Sequence, residues 1–143
     1  MVSEPPLLQL VPDEPAAARL VAELTALFAD RDRSPLEHAS RFIEIVGVEM
    51  EAPESLTEED EAITRAAMAE RPPWEAQIPF GKLQAAPFPK LIISGGHKRA
   101  FEAVCDVLEE RLAAERLVLP GKGHGIPRVP GYNEAVSAFF DVA

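Results

Sequence analysis

Three histidines and one cysteine are the side chains of this protein suited to chemistry near neutral pH. His124 has the most suggestive surroundings. It stands in Gly121-Lys122-Gly123-His124-Gly125, directly after the apolar run Leu117-Val118-Leu119 and Pro120. Glycines on both sides let the backbone turn sharply and keep bulk away from the imidazole. A loop at the carboxyl end of a parallel strand is where open α/β sheets place their ligands. An imidazole there acts as a general base, because its unperturbed pKa lies close to the operating pH. A plain surface turn has the same local composition. His97 follows Gly95-Gly96 and falls at the rim of that presumed site, where it is a candidate substrate contact or a polar loop residue. His38 follows Glu37 on a predicted helix and is expected to face outward. Cys105 falls on the inner stripe of an amphipathic segment, away from any turn, and reads as core filling.

The elements that must position these groups fall into two parts. From Pro15 a helical pattern puts Leu20, Val21, Leu24, Leu27 and Phe28 on one stripe, with Asp13 as its cap. Ser34 caps a second helix with Pro35 in its first turn; Leu36, Ala39, Phe42, Ile43 and Val46 share a face, and Gly47 ends it. The acidic stretch Glu49 to Glu61 reads as a solvated loop without calcium-loop spacing. It runs into a helix capped by Thr57, with Ile63, Ala66, Ala67 and Met68 inward. Arg71-Pro72-Pro73 stops that helix. The stretch from Trp74 to Pro89 reads as a linker with one short helical turn, and Trp74, Phe80 and Phe88 are candidate pocket aromatics.

Beyond Pro89 the character changes. Lys90-Leu91-Ile92-Ile93-Ser94 is a short apolar run ended by two glycines, the signature of a strand buried on both faces of a parallel sheet. Phe101, Val104, Cys105, Leu108 and Leu112 form a helical stripe, and Arg116-Leu117-Val118-Leu119 reads as a second buried strand. A last helix is expected over Tyr132 to Val142, with Val136, Phe139 and Phe140 inward. Strand, helix, strand, helix is a βαβ unit with a right-handed crossover and a covering helix. The expected organisation is a helical region over 1–86 and a β-α-β-α region over 87–143.

Bulk composition narrows the partners. Of 143 residues, 24 are acidic and 14 are Lys or Arg, giving a formal net charge of −10 that disfavours nucleic acid and anionic membranes. No apolar run is long enough to cross a bilayer. The lone cysteine excludes an internal disulfide and offers no metal cluster, and a cytoplasmic setting is the default expectation.

The run Phe88-Pro89-Lys90-Leu91-Ile92-Ile93-Ser94-Gly95-Gly96-His97, then an amphipathic helix, then Leu117-Val118-Leu119-Pro120-Gly121-Lys122-Gly123-His124 resembles the end of α/β-hydrolases. In that family the penultimate strand follows a proline and ends in glycine, and the last strand leads into a Pro-Gly-x-Gly-His loop. Gly131-Tyr132-Asn133-Glu134 is similar to the start of the family's closing helix. The resemblance is specific over residues 87 to 143. Residues 5 to 86 look like the helical cap inserted before the penultimate strand. The fold class this implies is α/β: a partial α/β-hydrolase fold, with a helical cap followed by a βαβα unit of parallel strands. His124 is then the triad histidine.

Two departures from the family matter. Its Gly-x-Ser-x-Gly nucleophile turn is absent, since none of Ser3, Ser34, Ser40, Ser55, Ser94 and Ser137 stands between properly spaced glycines. The usual acid position after the penultimate strand reads His97-Lys98-Arg99, and a lysine repels imidazolium instead of stabilising it. Glu4, in Val2-Ser3-Glu4-Pro5-Pro6, matches the place after the strand preceding the cap from which haloalkane dehalogenases take their acid, and is the preferred candidate. Glu102, expected to face solvent near the start of a helix, and Asp106 further along it are weaker candidates.

The resemblance thus implies an esterase-like hydrolase of a small ester or related substrate, present as a C-terminal portion that lacks the nucleophile and is inactive alone. Serine is the family's usual nucleophile, and the dehalogenase-like acid points to aspartate. Catalytic candidates are His124 and Glu4; substrate-binding candidates are His97 and Trp74. No metal or organic cofactor is implied. The expected partner is a small-molecule substrate once the missing half is supplied, with self-association through an open sheet edge. The other reading is a non-catalytic binding or interaction domain derived from the same fold.

Overall fold

A computed structural model of the chain describes residues 1–141. Among these residues the protein is a mixed α/β structure of six helices and one three-stranded parallel sheet. β1 (Val2–Ser3), β2 (Leu91–Ser94) and β3 (Glu115–Val118) lie in the order β1-β2-β3. Val2 registers with Ile92, and Leu91 with Glu115. Two strands were legible after the proline-rich stretch; the third comes from the first residues of the chain. Two residues give β1 no periodicity to detect, so the expectation of a strand just before Glu4 came from the family resemblance alone.

β2 is buried along its whole length, because neighbours flank it on both sides and helices cover it. β3 corrects the expectation of a second buried strand. It is a sheet edge among the described residues, and Val118 is 48% exposed. It also spans Glu115 to Val118 instead of Arg116 to Leu119.

Four helices precede β2. α1 (Pro15–Ala29) buries Ala17, Leu20, Leu24 and Leu27. Its cap is Glu14, not Asp13: the Glu14 carboxylate accepts from the Ala16 amide and is tied by its other oxygen to Arg99. α2 (Pro35–Val46) starts in a full capping box, with Ser34 and Glu37 each satisfying the other's backbone amide, and stops at the left-handed Gly47. α3 (Glu58–Ala69), capped by Thr57, buries no residue; Ile63 is 61% exposed, and Ala66 and Ala67 are exposed rather than inward. α4 (Phe80–Ala85) is the short turn expected between Trp74 and Pro89.

α5 (Arg99–Leu112) is the central helix, burying Phe101, Val104, Cys105 and Leu108. α6 (Tyr132–Asp141) turns Val136 and Phe139 toward the sheet, but Phe140 faces solvent at 59% exposure, against expectation. Val142, the expected end of that helix, lies outside the described residues.

The main core joins both ends of the chain. Leu8, Leu20, Leu24 and Leu27 pack in one cluster with Ile92, Phe101, Val104 and Leu108, so α1 and the residues after β1 lie on α5. A smaller cluster of Leu91, Ile93 and Ile126 sits on the other face of the sheet under α6. The carboxyl ends of all three strands therefore open on the same side, and that side carries Glu4, Gly95 and the loop from Pro120 to Gly125. No helix among the described residues is long and apolar enough to cross a membrane.

Candidate functional site

Three short segments converge at the strand ends. Glu4 follows β1, Gly95 to His97 follow β2, and His124 lies six residues beyond the end of β3. Glu4 is held before its side chain makes any contact. Its amide donates to the Ile93 carbonyl at 2.9 Å, and its backbone adopts φ +35°, a left-handed value uncommon for a residue with a side chain. The carboxylate is wholly buried and fully engaged on one side. Oε1 accepts the Gly95 amide at 2.7 Å, and Oε2 lies 2.8 Å from Nδ1 of His124. A carboxylate oxygen only accepts, so Nδ1 of His124 carries the hydrogen in this contact. That leaves its Nε2 as the nitrogen able to take a proton.

The His124 loop is fixed by the loop after α2. The His124 amide donates to the Gly47 carbonyl at 3.0 Å, the Glu49 amide donates to the Lys122 carbonyl at 3.2 Å, and Val48 and Gly123 form an isolated antiparallel bridge. Gly123 has φ +54°, and a β-carbon there would land on the Gly47 carbonyl oxygen. The glycine is required by that close approach as much as by its backbone angle. Phe101, 1% exposed, supports the imidazole from beneath: its ring stacks on His124 with centroids 4.5 Å apart at 20°.

The other candidates fall in different places. His97 does not line the apolar cavity that Trp74 and His124 share. Its Nδ1 faces Oε1 of Glu4 at 3.2 Å, and its Nε2 faces the Val46 carbonyl at 3.1 Å. Lys98 donates through Nζ to the Ile45 carbonyl at 2.8 Å. Glu102 corrects the expectation of a solvent-facing carboxylate. It accepts from Ser94 Oγ, the Gly96 amide and Arg116, and so pins the loop after β2. Asp106 pairs with Arg99 on the surface. Cys105 is buried in the core, and desolvation pushes its thiol up to about 12, where it is neither nucleophile nor ligand at neutral pH.

A cavity of about 370 Å³ opens between the helices before β2 and the strand ends. Leu24, Phe28, Phe42, Trp74 and Phe101 line it, with His124 at its floor. Of the three aromatics read as pocket candidates, Trp74 lines this space. Phe80 is instead buried in the core under the Arg111 guanidinium, and Phe88 is exposed on the surface near Lys90. The exposed residues of α3 explain their position here: Ile63 and Ala67 line the open side of the cavity, so they lack packing partners while facing apolar neighbours.

His38 also lines the cavity, contrary to the expectation that it faces outward. It is 3% exposed, packs edge-on against Phe28 at 5.2 Å, and leaves its Nδ1 without a hydrogen-bond partner. Desolvation, assisted by Arg33, lowers its pKa. The unfolded chain then takes up a proton at higher pH than the folded one, so this histidine's contribution to stability is complete above about pH 6.5 and falls as the pH drops below it. Urea unfolding at pH 7 and pH 5 should show a smaller loss on acidification in His38→Leu than in the wild type. Equal losses in the two proteins would contradict the assignment.

Neither the sequence expectation of no metal cluster nor the spacing of the residues foresaw one feature of the site. Glu4, His97 and His124 each bring one potential ligand atom to within 4.8 Å of the others. The chain matches no protein-family model, no curated protein and no solved structure.

Proposed function

We propose that this chain supplies the acid–histidine half of an acyl-transfer site of the α/β-hydrolase kind, acting on a small, largely apolar ester or related substrate. The observation that carries the reading is the 2.8 Å contact between Glu4 and His124 across 120 residues of chain, with the second oxygen of Glu4 held by the Gly95 amide. A buried carboxylate bound to Nδ1 fixes the imidazole tautomer and favours imidazolium when it forms. The apolar cavity above it suits an uncharged acyl or alkyl group, and its size falls within the range of small-molecule sites.

In the step this arrangement serves, Nε2 of His124 takes the proton of a nucleophile hydroxyl as that oxygen attacks the substrate carbonyl. The same nitrogen returns the proton to the leaving alkoxide. Water then releases the acid by the same exchange. Glu4 stays ionised throughout and offsets the charge on the ring. Among the described residues no serine, threonine or cysteine hydrogen-bonds His124, so the nucleophile comes from outside these residues. An aspartate nucleophile would use the same dyad to activate the hydrolytic water. In this reading the three parallel strands are the closing part of a larger sheet, and α1 to α4 form its cap.

The chain alone should show no turnover of p-nitrophenyl butyrate. Joined to the polypeptide encoded immediately upstream of Met1, it should hydrolyse the ester, and His124→Ala should lower kcat/KM of the joined protein by about 10³-fold or more. Ester turnover by the chain alone, or an upstream frame without a nucleophile turn, would contradict the proposal.

A further inference from the structure

Glu4, His97 and His124 pose a problem that a proton-relay dyad does not resolve. The Val46 carbonyl oxygen only accepts hydrogen bonds, so the ring nitrogen facing it at 3.1 Å, Nε2 of His97, carries the hydrogen. Nδ1 of His97 then presents a lone pair. That lone pair points at Oε1 of a wholly buried carboxylate at 3.2 Å, and Nδ1 is itself buried without a hydrogen-bond partner. Two electron-rich atoms this close in a dry setting call for a positive charge between them.

We infer that Glu4, His97 and His124 form a binding site for a first-row divalent cation of the zinc type. The donor set is two imidazoles and one carboxylate, a combination zinc uses in catalytic sites. One potential ligand atom of each residue lies within 4.8 Å of the others, and a ligating Nδ1 of His124 first gives up the hydrogen it directs at Glu4, to its own Nε2 or to solvent. The surroundings are those of a ligand shell. A metal-binding histidine commonly donates its remote N–H to a backbone carbonyl, which fixes its tautomer, and His97 does so to Val46. Glu4 is anchored by the Gly95 amide through Oε1 at 2.7 Å. The Phe101 ring stacks on both imidazoles, at 4.5 Å from His124 and 5.7 Å from His97, and shields them from water on that face. His124 lines the cavity, so a further ligand, water or a substrate oxygen, reaches the ion from there. Occupation of the site takes Glu4 and His124 out of proton transfer, and the ion therefore acts as an inhibitor of any chemistry that uses them as a dyad. The inference does not depend on that chemistry, since the three donors stand together whatever the chain's activity.

The experiment uses the untagged chain, stripped with chelator. Zn²⁺ is titrated by calorimetry, and Co²⁺ by its visible absorption, which reports tetrahedral nitrogen and oxygen ligation. One Zn²⁺ per chain is expected, with micromolar affinity, and with affinity at least about tenfold weaker in His97→Gln and in His124→Gln. Circular dichroism of each variant without metal establishes that it is folded. His97→Gln, at a half-buried position on the loop after β2, preserves the test if His124→Gln destabilises its loop. Absence of saturable binding overturns the inference, as does binding whose affinity is unchanged in the folded variants. In that case a proton, not a metal, supplies the charge between Glu4 and His97.

Discussion

Gly123→Ala should destabilise the fold by about 3 kcal/mol, the sum of a left-handed backbone forced on a residue with a side chain and of the clash it makes. The β-carbon would meet the Gly47 carbonyl oxygen, which is the acceptor of the His124 amide. The two loops must part for the methyl group to fit. The Val48–Gly123 bridge and the anchoring of His124 are lost together. Thermal unfolding should fall by about 10 °C for a chain of this size. Gly81→Ala provides the control, since nothing lies within 4 Å of its would-be β-carbon on α4. That change should be neutral or slightly stabilising. Equal effects of the two substitutions would mean that the close approach of the loops is not a constraint.

Glu4→Ala should cost about 3 kcal/mol, the usual penalty for removing one partner from a buried, charge-assisted cluster. The loss strands the buried Gly95 amide and takes the acceptor away from Nδ1 of His124. Relief of the left-handed backbone at position 4 offsets little of this, because alanine bears the same strain there. Glu4→Gln keeps the shape and one acceptor oxygen, and should cost less than Glu4→Ala. Urea denaturation of the three proteins measures both steps. If Glu4→Ala left the midpoint unchanged, the carboxylate would not hold the strand ends together.

How far these features could be read from sequence depends on how local their signals are. His124 was legible because the glycines that free its loop are adjacent to it. Glu4 was a candidate only through the family resemblance, because two residues of strand carry no periodicity of their own. The partnership of Glu4 with the Gly95 amide was not legible, because backbone donors have no residue code. His38 was misread for a different reason. Apolar spacing on α2 selects Leu36, Ala39, Phe42, Ile43 and Val46; Val46 is buried as expected, the other four are only half-buried, and Pro35, His38 and Ile45 are buried as well. Ala39, Phe42 and Ile43 line the open cavity, which accepts apolar side chains without enclosing them. The same cavity explains α3, whose apolar residues line it while remaining exposed. Glu102 was misjudged because its partners lie on two other segments, Ser94 and Gly96 at the end of β2 and Arg116 on β3.

The measurement closest to the heart of the account is a long-range ¹⁵N–¹H correlation spectrum of the histidine rings in the chelator-treated chain, with His124 assigned by the loss of its signals in His124→Gln. The geometry predicts hydrogen on Nδ1 and a bare Nε2, with an Nδ1 proton shifted far downfield by the carboxylate and returned toward ordinary values in Glu4→Gln. A His124 ring protonated only at Nε2, or one whose signals ignore the change at position 4, would contradict it.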